Sequence, residues 1–596
     1  DLDAASKFLR VYANNNRHLF EFSDISLPDV ADYENCISRL RDSAPGPDGL
    51  PYSAYKSCKV LSAQIFANSN SSFASESEPP GLEQFNKQLV WFAPKGVADA
   101  DSVAVYRAPN QLRTIFGSNT DSKIFNGTLG YKLTPPTMKL TPELQRGFCK
   151  GRQLSMNIVD LDAYMRAFND LYEPPGVVDS SNVGQYPATA LYDFCNAFPT
   201  LLHAWLFLLL KVLKLPDSIR WTIWWFYQKV TAFSSGTGDG SFLFCVQAGV
   251  KTGCPLSSLL FLLGVNPVID LFLRLSDGPK LSATRVCADD FGSAMRYLRV
   301  LKVHASIFAL AAKTTGLLLK PEKCVLVFSL GKLKPAFVMV IRAWLRDNVP
   351  AFADFVIADS GKYLGWYLGR NSVELSFASP FSKFAARVKD VFEGNAPAAT
   401  SIIKYNQRCV PVFSYHAQFS LPSREDNFAH KEHLAIHKIL HMPPNSMSRD
   451  LMRHIDFCSV ITPVWLEPYF SAIMLRFALS EKDSLLKLGQ DIRTLVGSSL
   501  TLAQAARDRL PLGGLDSVSV LQKLMDAMDF RGSLSPLRGR ESELRLSGQD
   551  SLNESAAGSV GGPFFPSLPH PTEPPEREVQ VVLLGPSKNT SRTPPR

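Results

Sequence analysis

The chain has 596 residues, of which 45% are apolar and 20% charged, with a net charge of +8 and a pI near 8.8. This length is too great for one compact core, so we expect two to four domains with the apolar content of globular protein. The mild basic excess suits a polyanionic partner without requiring one. Ten cysteines are widely spread with no CxxC pair, which argues against a disulfide framework or zinc knuckle and fits a reducing compartment.

No secretory signal is visible at the N-terminus, and Asp1 stands where Met would begin a full chain, so we expect a start inside a longer protein. The apolar stretch Leu201–Leu215 is broken by Lys211 and Lys214, and no apolar run reaches 18 residues. This pattern predicts a buried helix in that stretch and no membrane partner.

The predicted elements divide the chain into helical and mixed segments. Residues 1–60 read as helical, residues 88–130 as short strands alternating with turns, and residues 376–530 as mostly helical. From about residue 533 Ser, Gly, Pro and Arg dominate, which predicts a disordered tail. The central region predicts a strand at 188–194, a helix at about 255–275, a hairpin at 283–297, a helix at 299–315, and strands at 323–329 and 354–369.

Two acidic sites stand out in this central region: Asp193, within Leu-Tyr-Asp-Phe, and Asp289-Asp290, within Cys-Ala-Asp-Asp-Phe. Each lies in an apolar, strand-like run, where a carboxylate is costly to bury without positive compensation. Brought together, they would form an oxygen cage for Mg²⁺, which points to nucleotidyl transfer. Taken singly, Asp289-Asp290 also fits a hairpin turn and Asp193 a helix N-cap.

Around these aspartates the chain resembles the reverse transcriptase of non-LTR (LINE-type) retrotransposons over roughly residues 40–370. The resemblance rests on motifs that occur in the family's order: Ser43–Pro51, Val90–Lys95, Leu112–Lys123, Gln145–Arg152, Asp193–Phe198, Gly249–Phe261, Cys287–Asp290, Thr315–Lys323 and Lys362–Gly369. It implies an α+β right-hand polymerase with an antiparallel palm sheet, a helical C-terminal region and a disordered tail. The implied divisions are a helical N-terminal extension (1–80), fingers (81–187), an interleaved palm (188–370), a helical thumb and connection (371–532) and the tail (533–596).

The resemblance also implies an activity, RNA-directed DNA synthesis on an RNA template with a DNA primer and dNTPs. Asp193, Asp289 and Asp290 would be the catalytic residues and would hold two Mg²⁺ ions, for which Mn²⁺ is a possible substitute. Such a protein would work inside the cell, in the nucleus or in a cytoplasmic ribonucleoprotein.

The family's nucleotide-binding roles fall on residues from several motifs. Lys95 and Arg113 would contact the triphosphate, Lys323 would donate a proton to pyrophosphate, and Gly253 would help position the nucleotide. Phe198 would clash with a ribose 2′-OH and so favour deoxynucleotides. Solvated surface charge is the alternative interpretation of the two lysines and the arginine.

Template and primer roles would fall on glycines, a proline and an arginine. Gly147 and Arg152 lie in a basic block that would track template phosphate or simply form a loop at the start of a helix. Pro255 would begin a helix at its first position. Gly365 lies in a segment resembling the primer-grip hairpin, which would otherwise be a plain core strand.

Four positions depart from the family pattern: Thr114, Pro199, Thr252 and Cys287. Pro199, Thr252 and Cys287, together with the start at Asp1, keep open a decayed element that binds nucleic acid without polymerising it, and a maturase-like RNA-binding scaffold is a third possibility. A right-hand palm would also fit an RNA-dependent RNA polymerase, although the Gln145–Arg152 block, Phe198 and the Ser43–Gly49 turn favour the reverse transcriptase.

Beyond the palm, four histidines are spaced along one predicted helical face: His430, His433, His437 and His441. His454 and Cys458 would extend them to a zinc site. An amphipathic thumb helix near nucleic acid is the alternative that the spacing favours.

Overall fold

The structure is a computed structural model that describes residues 1–96, 105–108, 111–173, 178–234, 240–276, 281–423, 427–455 and 461–496. Within these ranges helices and strands are mixed, so the predicted α+β class is confirmed. The predicted disordered tail (533–596) and the end of the predicted thumb lie outside the described residues.

Helices surround the sheets along the whole described chain. The N-terminal half contains α1 (Leu2–Asn16), α2 (Val30–Arg39), α3 (Tyr52–Ser57), α4 (Lys59–Phe73), α5 (Leu82–Phe85), α6 (Thr120–Leu140), α7 (Ser155–Asp170), α8 (Ala197–Thr200), α9 (His203–Val212), α10 (Asp217–Trp225) and α11 (Ser257–Leu275). The C-terminal half contains α12 (Leu301–Thr315), α13 (Pro335–Asn348), α14 (Ser372–Glu393), α15 (Ala398–Lys404), α16 (Phe428–Ile439), α17 (Arg449–Ile455), α18 (Leu466–Ser480) and α19 (Lys482–Val496).

The strands form two larger sheets and one hairpin. They are β1 (Lys87–Pro94), β2 (Leu112–Ser118), β3 (Ala188–Tyr192), β4 (Thr231–Ser234), β5 (Phe242–Cys245), β6 (Ser282–Cys287), β7 (Asp290–Met295), β8 (Val325–Val327), β9 (Val356–Ala358), β10 (Ser360–Tyr363) and β11 (Trp366–Gly369). The five-stranded palm sheet has the order β6-β7-β3-β8-β9 and is antiparallel except for its last pair. The fingers sheet has the order β2-β1-β4-β5. Its last two strands follow β3 in the chain, so the chain leaves this sheet for the palm and then returns to it.

The palm sheet is buried on both faces, which explains why β3 reads as an unbroken apolar run. Along β3, Ala190 and Tyr192 pack into one core cluster with α11 and α12, whereas Leu191 packs into a second cluster with α7. The second cluster continues into the β10–β11 hairpin and the thumb helices. The sheet is therefore held rigidly, and the residues at its strand ends are fixed in position.

Helix α6 was not predicted, because the sequence pattern indicated strands and turns up to residue 130. Its residues are rich in Thr and Gly and include Pro135 and Pro136, all of which lower helix propensity. Tertiary burial overrides that preference. The buried Thr128 and Thr137 donate to the carbonyls four residues earlier, which satisfies hydroxyls that would otherwise be buried without partners.

Helix α11 begins at Ser257, so Pro255 lies before the helix rather than at its first position as predicted. It is the one helix among the described residues that is long and apolar enough to cross a membrane, but 72% of its apolar window is buried within the protein. A buried core helix passes the same test of length and composition.

The predicted helical face of four histidines is not formed, because α16 ends at Ile439 and His441 follows in a left-handed conformation. His433 and His437 are buried, and their ring nitrogens bond to backbone groups of Met447 and His433. His454 and Cys458 lie outside the described side chains. Among the described residues no group of His, Cys, Asp or Glu is arranged to hold a metal ion, so nothing supports the zinc interpretation.

A buried ionic network ties α7 to the palm sheet. Asp160 accepts hydrogen bonds from Arg146 (2.9 Å) and Arg285, while Asn157 bonds to Arg146 and to the Val286 carbonyl. Burial raises the pKa of Asp160, but the Arg285 and Arg146 guanidiniums outweigh it and hold that pKa below its usual value. Asp160 therefore stays ionised and stabilises the fold at neutral pH.

We expect Asp160→Asn to lower the free energy of unfolding by about 3–5 kcal/mol at neutral pH, because it leaves two partly buried arginines without a counter-charge. Asp347→Asn, on an exposed position of α13, is the control for removing a carboxylate. Urea unfolding of the two variants and the wild type measures the difference, and equal losses in both variants would contradict the expectation.

Candidate active site

The β6–β7 hairpin carries the acidic pair. Cys287 pairs with Asp290, which leaves Ala288 and Asp289 as a two-residue turn, so Asp289 lies in the turn and Asp290 begins β7. Ala288 has φ 58°, a left-handed conformation that non-glycine residues rarely adopt. Both interpretations of the pair therefore hold together: it is a hairpin turn, and it projects two carboxylates from the end of the sheet.

Asp193 follows directly after β3, and β3 pairs with β7 through Tyr192 and Phe291. The end of β3 thus lies beside the hairpin turn. The N-cap interpretation of Asp193 is wrong, since the N-cap residue of the next helix is Asn196. The main chain of Asp193 is fixed by the Lys320 N–H, which donates to its carbonyl at 2.8 Å.

The three carboxylates interact with one another. Burial and the charge of Asp193 raise the pKa of Asp289, which Arg113 partly offsets. Removal of water by the surrounding protein, then the charges of Asp289 and Asp193, raises the pKa of Asp290 to about 6. The site therefore gathers like charge that the chain offsets only in part.

Three cations gather around Lys95, and one of them, Arg113, also acts on Asp289. Burial lowers the pKa of Lys95, and the positive charges of Lys323, Arg113 and Lys320 lower it further, so these groups converge on one place. The Lys95 ammonium also donates to Asn196 Oδ1 at 2.7 Å. We call Lys95, Arg113, Lys320 and Lys323 the cationic cluster; its chemistry suits the phosphates of a nucleotide.

Phe198 packs against α11. Its ring stacks on Phe261, with centroids 4.4 Å apart, and meets the exposed ring of Phe148 edge-on at 5.9 Å. The neighbouring loop approaches the fingers closely, because a Cβ at Gly253 would lie 2.7 Å from the Phe116 carbonyl oxygen. Gly253 is thus required for packing of this loop against β2.

The Gln145–Arg152 block does not present its arginines to solvent as a template track would require. Arg152 donates to the carbonyls of Thr141, Pro142 and Gln145, and Arg146 belongs to the buried ionic network. A Cβ at Gly147 would lie 2.2 Å from the Ala288 nitrogen. These contacts hold the Arg152 guanidinium inside the protein and brace the β6–β7 hairpin, while the template role of Arg152 and Gly147 stays a prediction.

Strands β10 and β11 form the hairpin predicted around Gly365. Its two turn residues, Leu364 and Gly365, both have positive φ, which is the type I′ geometry that glycine favours. Tyr363 donates to the carbonyls of Arg285 (3.2 Å) and Asp290 (3.1 Å). The hairpin therefore lies against the catalytic hairpin, where it would meet a primer end.

The carboxylates fit a hard divalent cation in donor chemistry, since each offers oxygen ligands and their mutual repulsion would be relieved by positive charge. They are not, however, gathered into a ready-made ligand group within the described residues. Mg²⁺ typically binds one or two protein carboxylates together with substrate phosphates, so an incomplete protein ligand set agrees with that ion.

Comparison with known families agrees with this geometry. Residues 99–368 match the family model described as reverse transcriptase (RNA-dependent DNA polymerase). This stretch, somewhat under half of the chain, is similar to that family. The matched residues include Arg113, Asp193, Asp289, Asp290 and Lys323.

Among solved structures, the chain is similar to apo telomerase from Candida tropicalis truncated from its C-terminal domain, at 12% identity and a TM-score of 0.32. The alignment covers 48% of this chain and 54% of that chain, so this chain spans about half the length of that structure.

Several residues at the site were missed by the sequence analysis. Lys320 joins the cationic cluster, and Gln145, Asn157 and Asp160 brace the hairpin. Lys320 lies three residues before Lys323, which was predicted to belong to the site. The sequence gives only this weak signal for Lys320, and the turn at Pro321–Lys323 is what brings the two lysines together. For a buried polar residue, the sequence does not indicate which distant turn its side chain will form hydrogen bonds with.

We expect Asp290→Asn to raise the melting temperature in EDTA at about pH 8 and to have less effect as the pH falls toward about 4. The raised pKa of Asp290 means that its ionised form opposes folding. The stability of the neutral form is present below the ordinary value of 3.8 and is lost as the pH rises through about 6. Thermal unfolding across this range measures the effect, and an increase of the same size at every pH would contradict it.

Proposed function

We propose that this protein is the RNA-directed DNA polymerase of a non-LTR retroelement, acting on a primed RNA template in the nucleus or a cytoplasmic ribonucleoprotein. The observation that carries the proposal is the pairing of three interacting carboxylates with the cationic cluster at the end of the palm sheet. The subtype rests on the motif order from Ser43 to Gly369, which begins well before the matched reverse transcriptase domain.

In this proposal Asp193 and Asp289 hold two Mg²⁺ ions, with Asp290 in support. The bound metal ions supply a more acidic primer 3′-OH and charge neutralisation on the phosphates. The chain's own residues provide orientation: β3 and the β6–β7 turn fix the carboxylates on a rigid sheet.

The cationic cluster would bind the triphosphate opposite those carboxylates. Arg113 and Lys95 offer fixed positive charge to the β and γ phosphates, and Lys320 and Lys323 complete the charge on the side of Asp193. Charge that develops on the departing pyrophosphate is then stabilised by groups already in place. Lys323, exposed in its turn, is positioned to give a proton to that leaving group.

We expect Asp289→Asn to reduce dNTP incorporation on a primed RNA template by on the order of a thousandfold or more, because it removes a metal ligand worth several kcal/mol. Asp347→Asn is the matched control and should retain wild-type extension. Primer extension with Mg²⁺, repeated with Mn²⁺, measures both variants.

A folded wild-type protein that binds primed RNA but extends no primer would overturn the polymerase proposal. That outcome would favour the decayed element or the maturase-like scaffold. Extension with rNTPs in preference to dNTPs would instead favour an RNA polymerase.

We expect Phe198→Val to raise incorporation of rNTPs relative to dNTPs by roughly 10- to 100-fold. Stacking on Phe261 and the edge contact with Phe148 hold the Phe198 ring in place, so the ring excludes a 2′-OH by shape rather than by charge. Single-nucleotide kcat/KM values for rNTP and dNTP measure the ratio. Phe261→Leu is a control that removes only the stacking partner. An unchanged ratio of rNTP to dNTP incorporation in Phe198→Val would contradict the exclusion of the 2′-OH by this ring.

A further inference from the structure

The catalytic turn depends on a residue in a conformation that its side chain disfavours. Ala288 has φ 58°, in the left-handed region where glycine is the usual residue. Asp289 follows immediately, so rotation of the Ala288 peptide would move the Asp289 carboxylate. Something outside the hairpin must hold this turn.

The Gln145 side chain forms hydrogen bonds with both main-chain groups of Ala288. Its Oε1 accepts a hydrogen bond from the Ala288 N–H at 2.8 Å, and its Nε2 donates to the Ala288 carbonyl at 3.2 Å. Gln145 is fully buried, and its Oε1 also accepts from the Gly147 N–H at 2.7 Å. One amide therefore satisfies both main-chain groups of the strained residue, an arrangement that a carboxylate or a hydroxyl would not reproduce.

The segment around Gln145 is itself anchored to the hairpin. The Val286 N–H donates to the Leu144 carbonyl and the Arg146 N–H donates to the Val286 carbonyl, each at 2.9 Å. This parallel bridge adds residues 144–146 to the open edge of β6. Gly147 lets the main chain pass within contact distance of the turn.

We propose that Gln145 is a positioning residue for the active site: its amide locks the Ala288–Asp289 turn so that the Asp289 carboxylate is held ready for a divalent cation. The inference rests on the proposed function for its metal, but the locked turn itself is a property of the protein alone. Residues that orient metal ligands typically change metal affinity by roughly 10- to 100-fold when they are replaced.

The test compares Gln145→Met with Gln88→Met. Methionine keeps the length of glutamine but removes both hydrogen-bonding groups. Gln88 is equally buried, in the fingers sheet, where it accepts a bond from the Ser118 hydroxyl. Hydrogen–deuterium exchange, resolved to peptides covering 286–291 and measured without metal, nucleotide or template, reports the turn directly. Electron paramagnetic resonance titration with Mn²⁺ reports the metal site without requiring activity.

We expect Gln145→Met to increase exchange in the turn peptides and to weaken Mn²⁺ binding roughly 10- to 100-fold, while Gln88→Met does neither. Gly147→Ala, whose added Cβ collides with the turn, should loosen the same peptides and weaken Mn²⁺ binding in the same direction. Unchanged exchange at 286–291, or a loosened turn with unchanged Mn²⁺ affinity, would overturn the positioning role. Failure of the wild-type protein to bind Mn²⁺ would instead overturn the metal chemistry on which the inference rests.

If Gln145→Met does not fold, Gly147→Ala and Gln145→Glu decide the matter. Glu keeps an acceptor for the Ala288 and Gly147 N–H groups, and in its ionised form it has no donor for the Ala288 carbonyl. An intermediate increase in exchange for Gln145→Glu supports the two-sided contact. Exchange equal to that of wild type would contradict the two-sided contact, because the Nε2 hydrogen bond would then contribute nothing to holding the turn.

Discussion

Three carboxylates brought together at the end of the palm sheet are the constraint around which this structure is arranged. Burial, then the charges of neighbouring carboxylates, raises the pKa of Asp289 and Asp290, and such a site persists only if a rigid support opposes its relaxation. Rigidity comes from burial of the sheet on both faces, with α11 and α12 on one side and α7 on the other. The counter-charge comes from a different part of the chain, in the cationic cluster.

Three sets of contacts support the β6–β7 hairpin, at increasing distance from its turn. The Gln145 amide contacts the turn itself, Tyr363 bonds to the carbonyl of Asp290, and the ionic network of Asp160 holds the outer strand. Each layer uses hydrogen bonds that are shielded from water, where a lost partner leaves a polar group or charge uncompensated. Fixing these groups before substrate binds is what allows electrostatic stabilisation without reorganisation during the reaction.

The charged residues of the motifs fall into two groups in the structure. Arg113 and the lysines of the cationic cluster face the site, whereas Arg146 and Arg152 are used inside the protein. The guanidiniums of Arg146 and Arg152 are thus occupied by internal hydrogen bonds, whereas Arg113 acts on Asp289. Glycine shows the same division: Gly365 serves a turn, while Gly147 and Gly253 serve close approach between segments.

The sequence by itself determined the palm strands, the hairpin around Asp289-Asp290 and the mixed fold class, because apolar runs and turn residues are local signals. It also predicted that Asp193, Lys95 and Arg113 belong to one site, through motif order rather than geometry. Only the tertiary structure decided that α6 is a helix, since burial overrode the low propensity of its Thr, Gly and Pro residues. It likewise decided the partners of Gln145, Asp160 and Arg152, because a buried hydrogen bond between distant segments has no local pattern from which to read it.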